Sequence, residues 1–305
     1  MKGFAKETSV RRNEAGLLAA QLFIQQNLDK DLNLNAVSRV AGMSASHFHR
    51  LFRSSLGETP KRYIDRLRVE KSIYDIRISS LNLLEISLRY GFKNPETYCR
   101  VFKRHFGHSP SVYLRGRMKP EKGNRPKTKA GDGLRYSRSG NYSVTRLDVV
   151  HLAFIRQIGK YYDVPLVADS GENPWRELTD FARSKSLSGL PPVYIGIPHD
   201  NPSLTDPLKQ RFDMCIKVDR PFRPSGRIGY AEIPAGVYGT LTYAGPYAGL
   251  PTAYTDLFNA GFNTKGFDVD QNPIFELMID VSATTIADYT WTELYIPLIK
   301  KGVPE

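Results

Sequence analysis

Residues 42–64, GMSASHFHRLFRSSLGETPKRYI, return in altered form in residues 91–114, GFKNPETYCRVFKRHFGHSPSVYL. Both stretches have a glycine at the start, an Arg before an apolar pair, a second glycine and then a Pro ahead of a Tyr. The offset between the copies is 49 residues at the first glycine and 50 from Phe48 onward, so the second copy has one extra residue in its turn. A repeat of this length predicts two structural units of the same kind.

The first copy is predicted to form a helix, a turn and a second helix. Apolar residues at helical spacing precede the turn at Leu34, Val37, Val40 and Ala41. Gly42 ends this helix because glycine enters the left-handed backbone region without steric cost, and Ser44 can cap the next helix. The next helix ends at Gly57, and its apolar face comprises Phe48, Leu51, Phe52 and Leu56.

The second copy repeats this pattern with its own apolar residues. They are Leu84, Ile86, Leu88 and Tyr90 before Gly91, and Tyr98, Val101, Phe102 and Phe106 before Gly107. Between the copies, residues 60–78 begin with a Pro that suits the first turn of a long helix. Its predicted buried face comprises Tyr63, Ile64, Leu67 and Ile73. The sequence therefore predicts an all-α N-terminal domain with two helix-turn-helix units joined by a long helix.

The basic charge of the chain is concentrated in the same part of the sequence. The formal net charge is +12, but residues 1–140 hold 28 Lys and Arg against 12 Asp and Glu, or +16, whereas residues 141–305 carry −4. Basic residues that only kept a surface soluble would not favour one half of the chain. The asymmetry indicates a polyanionic partner for the N-terminal half, and nucleic acid is the polyanion that helix-turn-helix units bind.

Two stretches carry a family resemblance, AVSRVAGMSASHFHRLFRSSLGETPKRYIDRLRVEKS and LLEISLRYGFKNPETYCRVFKRHFGHSPSVYLR. Together they resemble the paired helix-turn-helix domain of AraC/XylS-type regulators, and the second contains the pattern FKxxFGxSP. The resemblance covers residues 13–117, with Ser87 where the family usually has alanine. It implies a sequence-specific transcription regulator, expected to be an activator, with double-stranded DNA and RNA polymerase as partners.

The apolar face of each recognition helix determines which residues point outward. The outward residues predicted to bind DNA are Ala45, Ser46, His49, Arg50 and Arg53 in the first helix, and Asn94, Pro95, Glu96, Cys99, Arg100, Lys103 and Arg104 in the second. We expect Arg50 to discriminate bases most, because Arg can pair bidentately with guanine, and Ser46 least. In the second helix Arg100 has the readout chemistry, while Lys103 and Arg104 are expected to contact phosphates.

The alternative for Arg50 and Arg100 is a structural role in which each pairs with an acid such as Asp65. Their equivalent positions in the repeat favour DNA. His47 and His49 do not predict a metal site, because two residues at i and i+2 on a helix point apart.

The composition changes after residue 117. The stretch GRMKPEKGNRPKTKAGDGLRYSR at residues 116–138 is rich in Gly, Pro and Lys and has almost no apolar residue. It therefore predicts a flexible basic linker, which cannot bury a core of its own. The predicted organisation is a DNA-binding domain at residues 1–117, a linker at residues 118–141 and a second domain at residues 142–305.

The second domain is predicted to be α+β and built from duplicated strand-helix-strand units. Its predicted strands are residues 144–147, 193–197, 212–218, 227–233, 237–243, 274–279 and 293–298. Its predicted helices are residues 174–187 and 250–261. The stretch AEIPAGVYGTLTYAGPYAGLPTAYTDLF, followed by NPIFELMID and TELYIPL, resembles the GyrI-like effector-binding domain.

This second resemblance implies a cleft for bulky small molecules that are often cationic or aromatic. The ring faces and carboxylates that suit such an effector are Tyr243, Tyr247, Glu276, Trp291, Glu293 and Tyr295. Tyr243 stands where the family often has histidine. The alternative is that the two carboxylates face solvent and the aromatic residues belong to the core.

Two other functions of the second domain stay open. One is a small-molecule hydrolase in which Glu276 acts with Tyr243 or Tyr295, by analogy with GyrI-like domains that resemble hydrolases. The other is a module that binds only protein. The sequence contains no phosphate-binding glycine loop or catalytic serine motif, which favours a regulator that is not an enzyme and needs no cofactor or metal.

Two further expectations concern location and assembly. The chain has no apolar run of 18 residues and no secretory signal, so we expect it in the cytoplasm and not in a membrane. Because one chain holds both recognition helices, we expect a monomer or weak dimer.

Overall fold

The computed structural model describes residues 2–79, 81–115, 142–165, 173–188, 191–246, 249–270, 272–280 and 289–301. The chain forms two compact units, Met1–Gly133 and Leu134–Glu305. The predicted linker at residues 118–141 lies outside the described residues. None of the helices in the described ranges combines enough length and apolar content to cross a membrane.

The first unit is helical, as predicted. Its helices are α1 (Lys2–Gln26), α2 (Leu34–Val40), α3 (Ala45–Leu56), α4 (Pro60–Ile78), α5 (Leu83–Arg89), α6 (Pro95–Phe106) and α7 (Pro110–Arg115). The pairs α2–α3 and α5–α6 are the two helix-turn-helix units, and α4 is the long helix between them. The helix α1 was not predicted from the sequence. Its residues Leu17, Ala20 and Ile24 pack in one core with α2, α3 and α4.

The two recognition helices, α3 and α6, have the same length of 12 residues because the same signals begin and end them. The side chain of Ser44 caps α3 by accepting a hydrogen bond from the His47 N–H, and Asn94 caps α6 in the same way. Gly57 and Gly107 end the helices with φ of 69° and 79°, in the left-handed region that glycine occupies without strain.

The buried faces of the two short helices differ from the prediction. Leu34 and Val40 in α2 are 37% and 40% exposed, and Leu84 and Leu88 in α5 are 50% and 53% exposed. The faces that pack inward instead each contain a buried serine, Ser38 in α2 and Ser87 in α5. The buried residues are Val37, Ser38 and Ala41 in the first unit, and Ile86, Ser87 and Tyr90 in the second.

The second unit contains one mostly antiparallel sheet with two helices, which agrees with the predicted α+β class. Its strands are β1 (Ser143–Leu147), β2 (Val150–Ile158), β3 (Tyr194–Pro198), β4 (Arg211–Val218), β5 (Ile228–Ile233), β6 (Gly236–Pro246), β7 (Phe267–Val269), β8 (Phe275–Asp280) and β9 (Tyr289–Lys300). Its helices are α8 (Pro174–Ser184) and α9 (Leu250–Phe262). The strand β2 was missed because Leu152–Ile155 are buried on both faces and show no alternation.

The order of the strands shows the predicted duplication. The sheet runs β1-β6-β9-β8-β3-β4-β2-β5, with β7 paired to β9. The first half of the unit, β1-β2-α8-β3-β4, matches the second half, β5-β6-α9-β8-β9, and the strand order is symmetric about the β3–β8 pair. The first strand of each half lies at the outer edge of the other half.

Both helices cover the same face of this sheet, which we call the helical face. Residues of α8 pack on Phe212, Met214 and Ile216 of β4, and residues of α9 pack on Leu294 and Ile296 of β9. Since residues directly opposite in neighbouring strands share a face, the strand pairings place every other strand residue on one side or the other.

Candidate functional site

The outward side of α3 carries the residues predicted to read bases. Ser46, Arg50 and Arg53 are exposed, and Ala45 and His49 are half-buried. Phe48 and Phe52 are fully buried beneath them and pack against each other with ring centroids 5.3 Å apart. The helix is therefore held by one aromatic face, and the predicted DNA-binding residues share the other.

The outward side of α6 is built in the same way but carries different chemistry. Glu96, Arg100, Lys103 and Arg104 are exposed, while Pro95 and Cys99 are half-buried. Burial, together with the negative charge of Glu96, raises the pKa of the Cys99 thiol, so the sulfur stays protonated and is a weak hydrogen-bonding group. The helix therefore offers basic groups along its exposed side and an acid near its start.

Asn94 has a structural task that the sequence interpretation did not assign. Its Oδ1 accepts a hydrogen bond of 2.8 Å from the Thr97 N–H, and this bond caps α6. The side-chain amide NH2 and the second lone pair of Oδ1 are then left to meet a DNA group. Ser44, the corresponding cap of α3, was recognised as a cap from the sequence.

The arginines of the recognition helices differ in their acidic neighbours. Asp65 of α4 lies 3.5 Å from Arg104 and 2.7 Å from Lys61. Within the described part of the chain, neither Arg50 nor Arg100 has a carboxylate within ion-pair distance. Pairing with Asp65 was the structural alternative for Arg50 and Arg100. Among the described residues of the recognition helices, Arg104 makes that contact instead.

Five of the six residues predicted to bind an effector are described, and they lie on two faces of the sheet. Tyr243 pairs with Thr292, and Glu276 pairs with Leu294, which places Tyr243 and Glu276 on the helical face. Trp291, Glu293 and Tyr295 alternate with those partners along β9 and lie on the opposite face. A ligand on the helical face does not reach these three residues. Tyr247 lies outside the described residues.

Glu276 is a buried carboxyl group in the middle of the sheet. Only 4% of the residue is exposed, and Tyr254 of α9 donates a hydrogen bond to its Oε1. Burial raises its pKa to about 7, against the lowering effect of the Tyr254 hydrogen bond. Among the described residues, no cationic side chain lies within ion-pair distance of this carboxyl.

The surroundings of Glu276 on the helical face are aromatic. Gly196 lies directly across from Glu276 in β3, and a Cβ at that glycine would lie 2.5 Å from the ring of Phe212. Burial raises the pKa of the nearby Tyr161, with smaller contributions from the charges of Asp200 and Glu276, and its hydroxyl is fixed by hydrogen bonds of 2.6 and 2.8 Å to the backbone of Asp200. A carboxylate among ring faces can bind an organic cation.

The opposite face holds a second carboxylate beside aromatic rings. Tyr295 donates a hydrogen bond of 2.5 Å to Glu293, and its ring stacks on Phe275 with centroids 4.3 Å apart. Trp291 is 48% exposed at the end of this group. This arrangement also offers a carboxylate and ring faces, but its carboxylate is less buried than that of Glu276.

The sequence interpretation missed Tyr254 and Tyr161, the residues that accompany Glu276. A helical pattern in residues 250–261 was visible, and Tyr254 lies between Leu250 and Leu257 on the side that meets the sheet. The pattern therefore placed Tyr254 near the core but did not connect it to a strand 22 positions away in sequence.

Two family models match the chain. One, described as a helix-turn-helix domain, matches residues 37–116, and the other, described as a GyrI-like small molecule binding domain, matches residues 141–299. These matches fall on the two compact units separately, and the second covers more than half of the chain.

Known relatives resemble the first unit. The transcriptional regulator Rob of Salmonella typhimurium is 31% identical over 121 residues, which are 39% of this chain and 42% of Rob. The Tn10 TetD protein of Escherichia coli is 36% identical over 97 residues, which are 32% of this chain and 70% of TetD. The chain therefore spans less than half the length of the Rob protein that it matches.

One solved structure is similar to part of the chain. The EcmrR C-terminal domain is 20% identical and covers 53% of this chain and 99% of its own, with a TM-score of 0.39.

Proposed function

We propose that this chain, which belongs to the family of proteins with a GyrI-like small molecule binding domain and carries an AraC-type helix-turn-helix domain, is a sequence-specific regulator of transcription. In this proposal the first unit binds double-stranded DNA and the second binds a small-molecule effector that changes promoter binding. We further propose that it activates transcription through contact with RNA polymerase, as a monomer or weak dimer in the cytoplasm.

One observation carries the DNA-binding proposal. Arg50 and Arg100 occupy the same position in two recognition helices of equal length, both are exposed, and no carboxylate neutralises either of them within the described residues. An exposed guanidinium at that point of a helix-turn-helix can enter the major groove and pair bidentately with guanine. The +16 charge of residues 1–140 supports attraction to phosphates over the whole unit.

The first experiment is selection of duplexes from a random pool by the purified protein near physiological salt. We expect a recovered pattern with two sub-sites, and we expect Arg50→Ala to lose discrimination at one base pair. Arg183→Ala is the matched control, because Arg183 is an exposed arginine of α8 in the second unit and its removal changes the net charge equally. Salt-sensitive binding without any enriched sequence would contradict the proposal.

For the effector we propose the Glu276 side of the sheet, with Tyr243 and Tyr254 as neighbouring rings. The buried carboxyl of Glu276 has no cationic partner among the described residues, so a bound cation would supply the missing countercharge. The pKa of about 7 adds a signature, since the cation must bind the ionised carboxylate. Trp291, Glu293 and Tyr295 form the competing site on the opposite face.

A titration with phenyltrimethylammonium, an aromatic cation, tests this assignment. The affinity of the wild-type protein is expected to rise by up to about tenfold per pH unit between pH 5 and 7, and to level above pH 7. Glu276→Gln keeps the shape and removes the charge, so it should weaken binding and abolish the pH dependence. Glu293→Gln is the matched control and should bind as the wild type does. The reverse result would move the site to the opposite face.

The same pKa has a consequence for stability without ligand. The folded-state pKa of Glu276 lies above its ordinary value of 4.5, so the folded state holds this proton more tightly than the unfolded state. The stability contributed by the protonated carboxyl is present below about pH 4.5 and is lost as the pH rises through about 7. Glu276→Gln should therefore raise the free energy of unfolding at pH 8 more than at pH 5.

We propose that the second unit binds the effector without converting it. The supporting finding is that one relative, Rob, is a transcriptional regulator by name, and that the matching model of the second unit describes small-molecule binding. Mass analysis of a bound compound after prolonged incubation tests this, and recovery of a hydrolysed product would favour the hydrolase with Glu276 as acid or base.

A further inference from the structure

The helix α4 joins the two helix-turn-helix units and contains two buried arginines. Arg66 and Arg68 are 5% and 4% exposed. A buried guanidinium is costly unless its N–H groups are hydrogen-bonded. The contacts around these two arginines involve both helix-turn-helix units.

Arg68 binds the loop that precedes α2, the first helix of the first helix-turn-helix. Its Nε donates a hydrogen bond of 2.8 Å to the Leu28 carbonyl oxygen, and its Nη2 donates one of 2.5 Å to that of Lys30. Its guanidinium also lies 5.5 Å over the ring of Phe92, in the turn between α5 and α6. One side chain therefore holds the loop before the first helix-turn-helix against the turn of the second helix-turn-helix.

The turn itself touches that loop. Gly91 has φ of +69°, and a Cβ at this position would lie 2.5 Å from Arg68 Nη2, 2.6 Å from the Leu28 oxygen and 2.8 Å from the Asp29 oxygen. Only glycine allows this approach, because any side chain would separate the backbone segments. The loop before α2 and the turn between α5 and α6 are thus in direct contact at a point set by Arg68.

Arg66 makes a second link through carboxylates. Its Nε and Nη2 donate hydrogen bonds of 3.0 and 2.7 Å to Glu58, which follows the end of α3, and its Nη1 donates one of 3.2 Å to Glu70. The other oxygen of Glu70 lies 2.9 Å from Nε2 of His105 in α6, which is ion-pair distance without hydrogen-bond geometry. The series Glu58, Arg66, Glu70 and His105 runs from the end of one recognition helix to the other.

We propose that Arg66 and Arg68 are positioning residues that fix the distance and rotation between α3 and α6, and thereby make the protein select the spacing between two sub-sites on DNA. The inference rests on the proposed DNA-binding function. One added base pair displaces the second sub-site by about 3.4 Å and rotates it by roughly a tenth of a turn. A helix-turn-helix held by buried contacts cannot shift to meet the displaced sub-site. The protein therefore recognises the spacing between the sub-sites as well as their sequence.

The experiment uses the full-length chain and the two-part duplex recovered by the wild-type protein from the random pool. Duplexes with one or two base pairs added or removed between the sub-sites form a spacing series. The variants are Arg68→Lys, which keeps the charge but loses the two-carbonyl geometry, and His105→Gln, which breaks the contact with Glu70. Lys93→Ala is the matched control, because Lys93 and Asp31 join the same segments by an exposed ion pair of 3.4 Å.

The measured quantity is the ratio of the dissociation constants for shifted and native spacing. The wild type and Lys93→Ala should both show a large ratio, and each positioning variant should lower it by about fivefold or more, through weaker binding to the native spacing and unchanged or tighter binding to shifted duplexes. Because every duplex meets the same protein preparation, a partly unfolded variant changes all the constants equally and leaves the ratio unchanged.

The outcomes separate two failures. A wild-type ratio that Arg68→Lys and His105→Gln both retain overturns the positioning role and leaves the two arginines as stabilising residues of the fold. A wild-type protein that selects no paired sub-sites overturns the DNA-reading function together with the positioning role.

Discussion

The two helix-turn-helix units have nearly the same backbone but present different surfaces. Between corresponding positions, Ser46 is replaced by Glu96, His49 by Cys99 and Arg53 by Lys103, while the central arginine is retained. The first recognition helix therefore offers neutral and basic groups that can bond base edges, and the second combines basic groups with an acid. We therefore expect the first helix-turn-helix to read sequence and the second to contribute more phosphate contact.

Their supports differ as well. The first helix-turn-helix shares a core with α1, through Leu17, Ala20 and Ile24. The second helix-turn-helix relies on a series of aromatic contacts in which Tyr98 and Phe102 are central. The positions that begin and end the recognition helices are the ones the two copies share. The repeat thus retains the local signals of the backbone, while the residues that pack against other elements diverge.

The largest expected effect distinguishes the two turn glycines. Gly42 and Gly91 have φ of +66° and +69°, but a Cβ at Gly42 meets nothing within 4 Å, whereas one at Gly91 collides with Arg68 and two carbonyl oxygens. Gly42→Ala should lower the free energy of unfolding by about 1–2 kcal/mol. Gly91→Ala should lower it by roughly 2–5 kcal/mol, because overpacking adds to the backbone strain. Equal losses of unfolding free energy, measured in urea, would contradict the direct contact between the Gly91 turn and the loop before α2.

A smaller effect is expected from the two central arginines. Arg50→Ala should weaken binding to the selected duplex by about 1–3 kcal/mol and relax specificity at one base pair. Arg100→Ala should weaken binding as well but change base preference less. The measurement is a set of dissociation constants for the selected duplex and its single-base variants. Greater relaxation with Arg100→Ala would reverse the roles assigned to the two helices.

The acid of the second helix gives the next effect. Glu96→Gln removes a negative charge from the surface proposed to face phosphates, so affinity for unrelated duplexes should rise by about two- to fivefold at low salt. The reciprocal change, Ser46→Glu in the first helix, should lower it by a similar factor. If both variants bound unrelated DNA as the wild type does, the acid would lie away from the phosphates.

The smallest effect concerns the last turn of α6. Lys103→Ala should reduce the slope of log affinity against log salt by about 0.9, as expected for one lost phosphate contact. Arg104→Ala should reduce it less, because Asp65 already lies 3.5 Å from this guanidinium. Salt titrations of both variants make the comparison. Equal slopes would mean that Arg104 leaves Asp65 when DNA binds.

The repeat predicted the helical part of the fold well because its signals are local. Ser44, Gly57 and Pro60 each act through the backbone of their own turn, and the structure confirms the helix boundaries they indicated. The face that a short helix buries was not predictable in this way. In a seven-residue helix, Leu84 and Leu88 fit one face as well as Ile86 and Tyr90 fit another, and only the packing of α6 decides between them.

The second unit was predictable in class but less so in its site. Alternation along the strands showed which residues share a face within a strand, but the register between strands decides whether Glu276 and Glu293 face the same side. The pairing of Glu276 with Leu294 puts them on opposite sides. A shift of one residue would have united them, and no local signal in either strand fixes that register.

The exchange of edge strands between the two halves of the second unit has a consequence for the newly made protein. The last strand, Tyr289–Lys300, pairs with β6, β7 and β8 in the interior of the sheet, so the sheet is incomplete until that strand leaves the ribosome. The last described helix of the helical unit ends at Arg115, far ahead of β9 in the chain. At about 5–20 residues per second, on the order of ten seconds separate the two events. During translation, each molecule therefore passes through an interval in which the helical unit is complete and the effector-binding sheet is not.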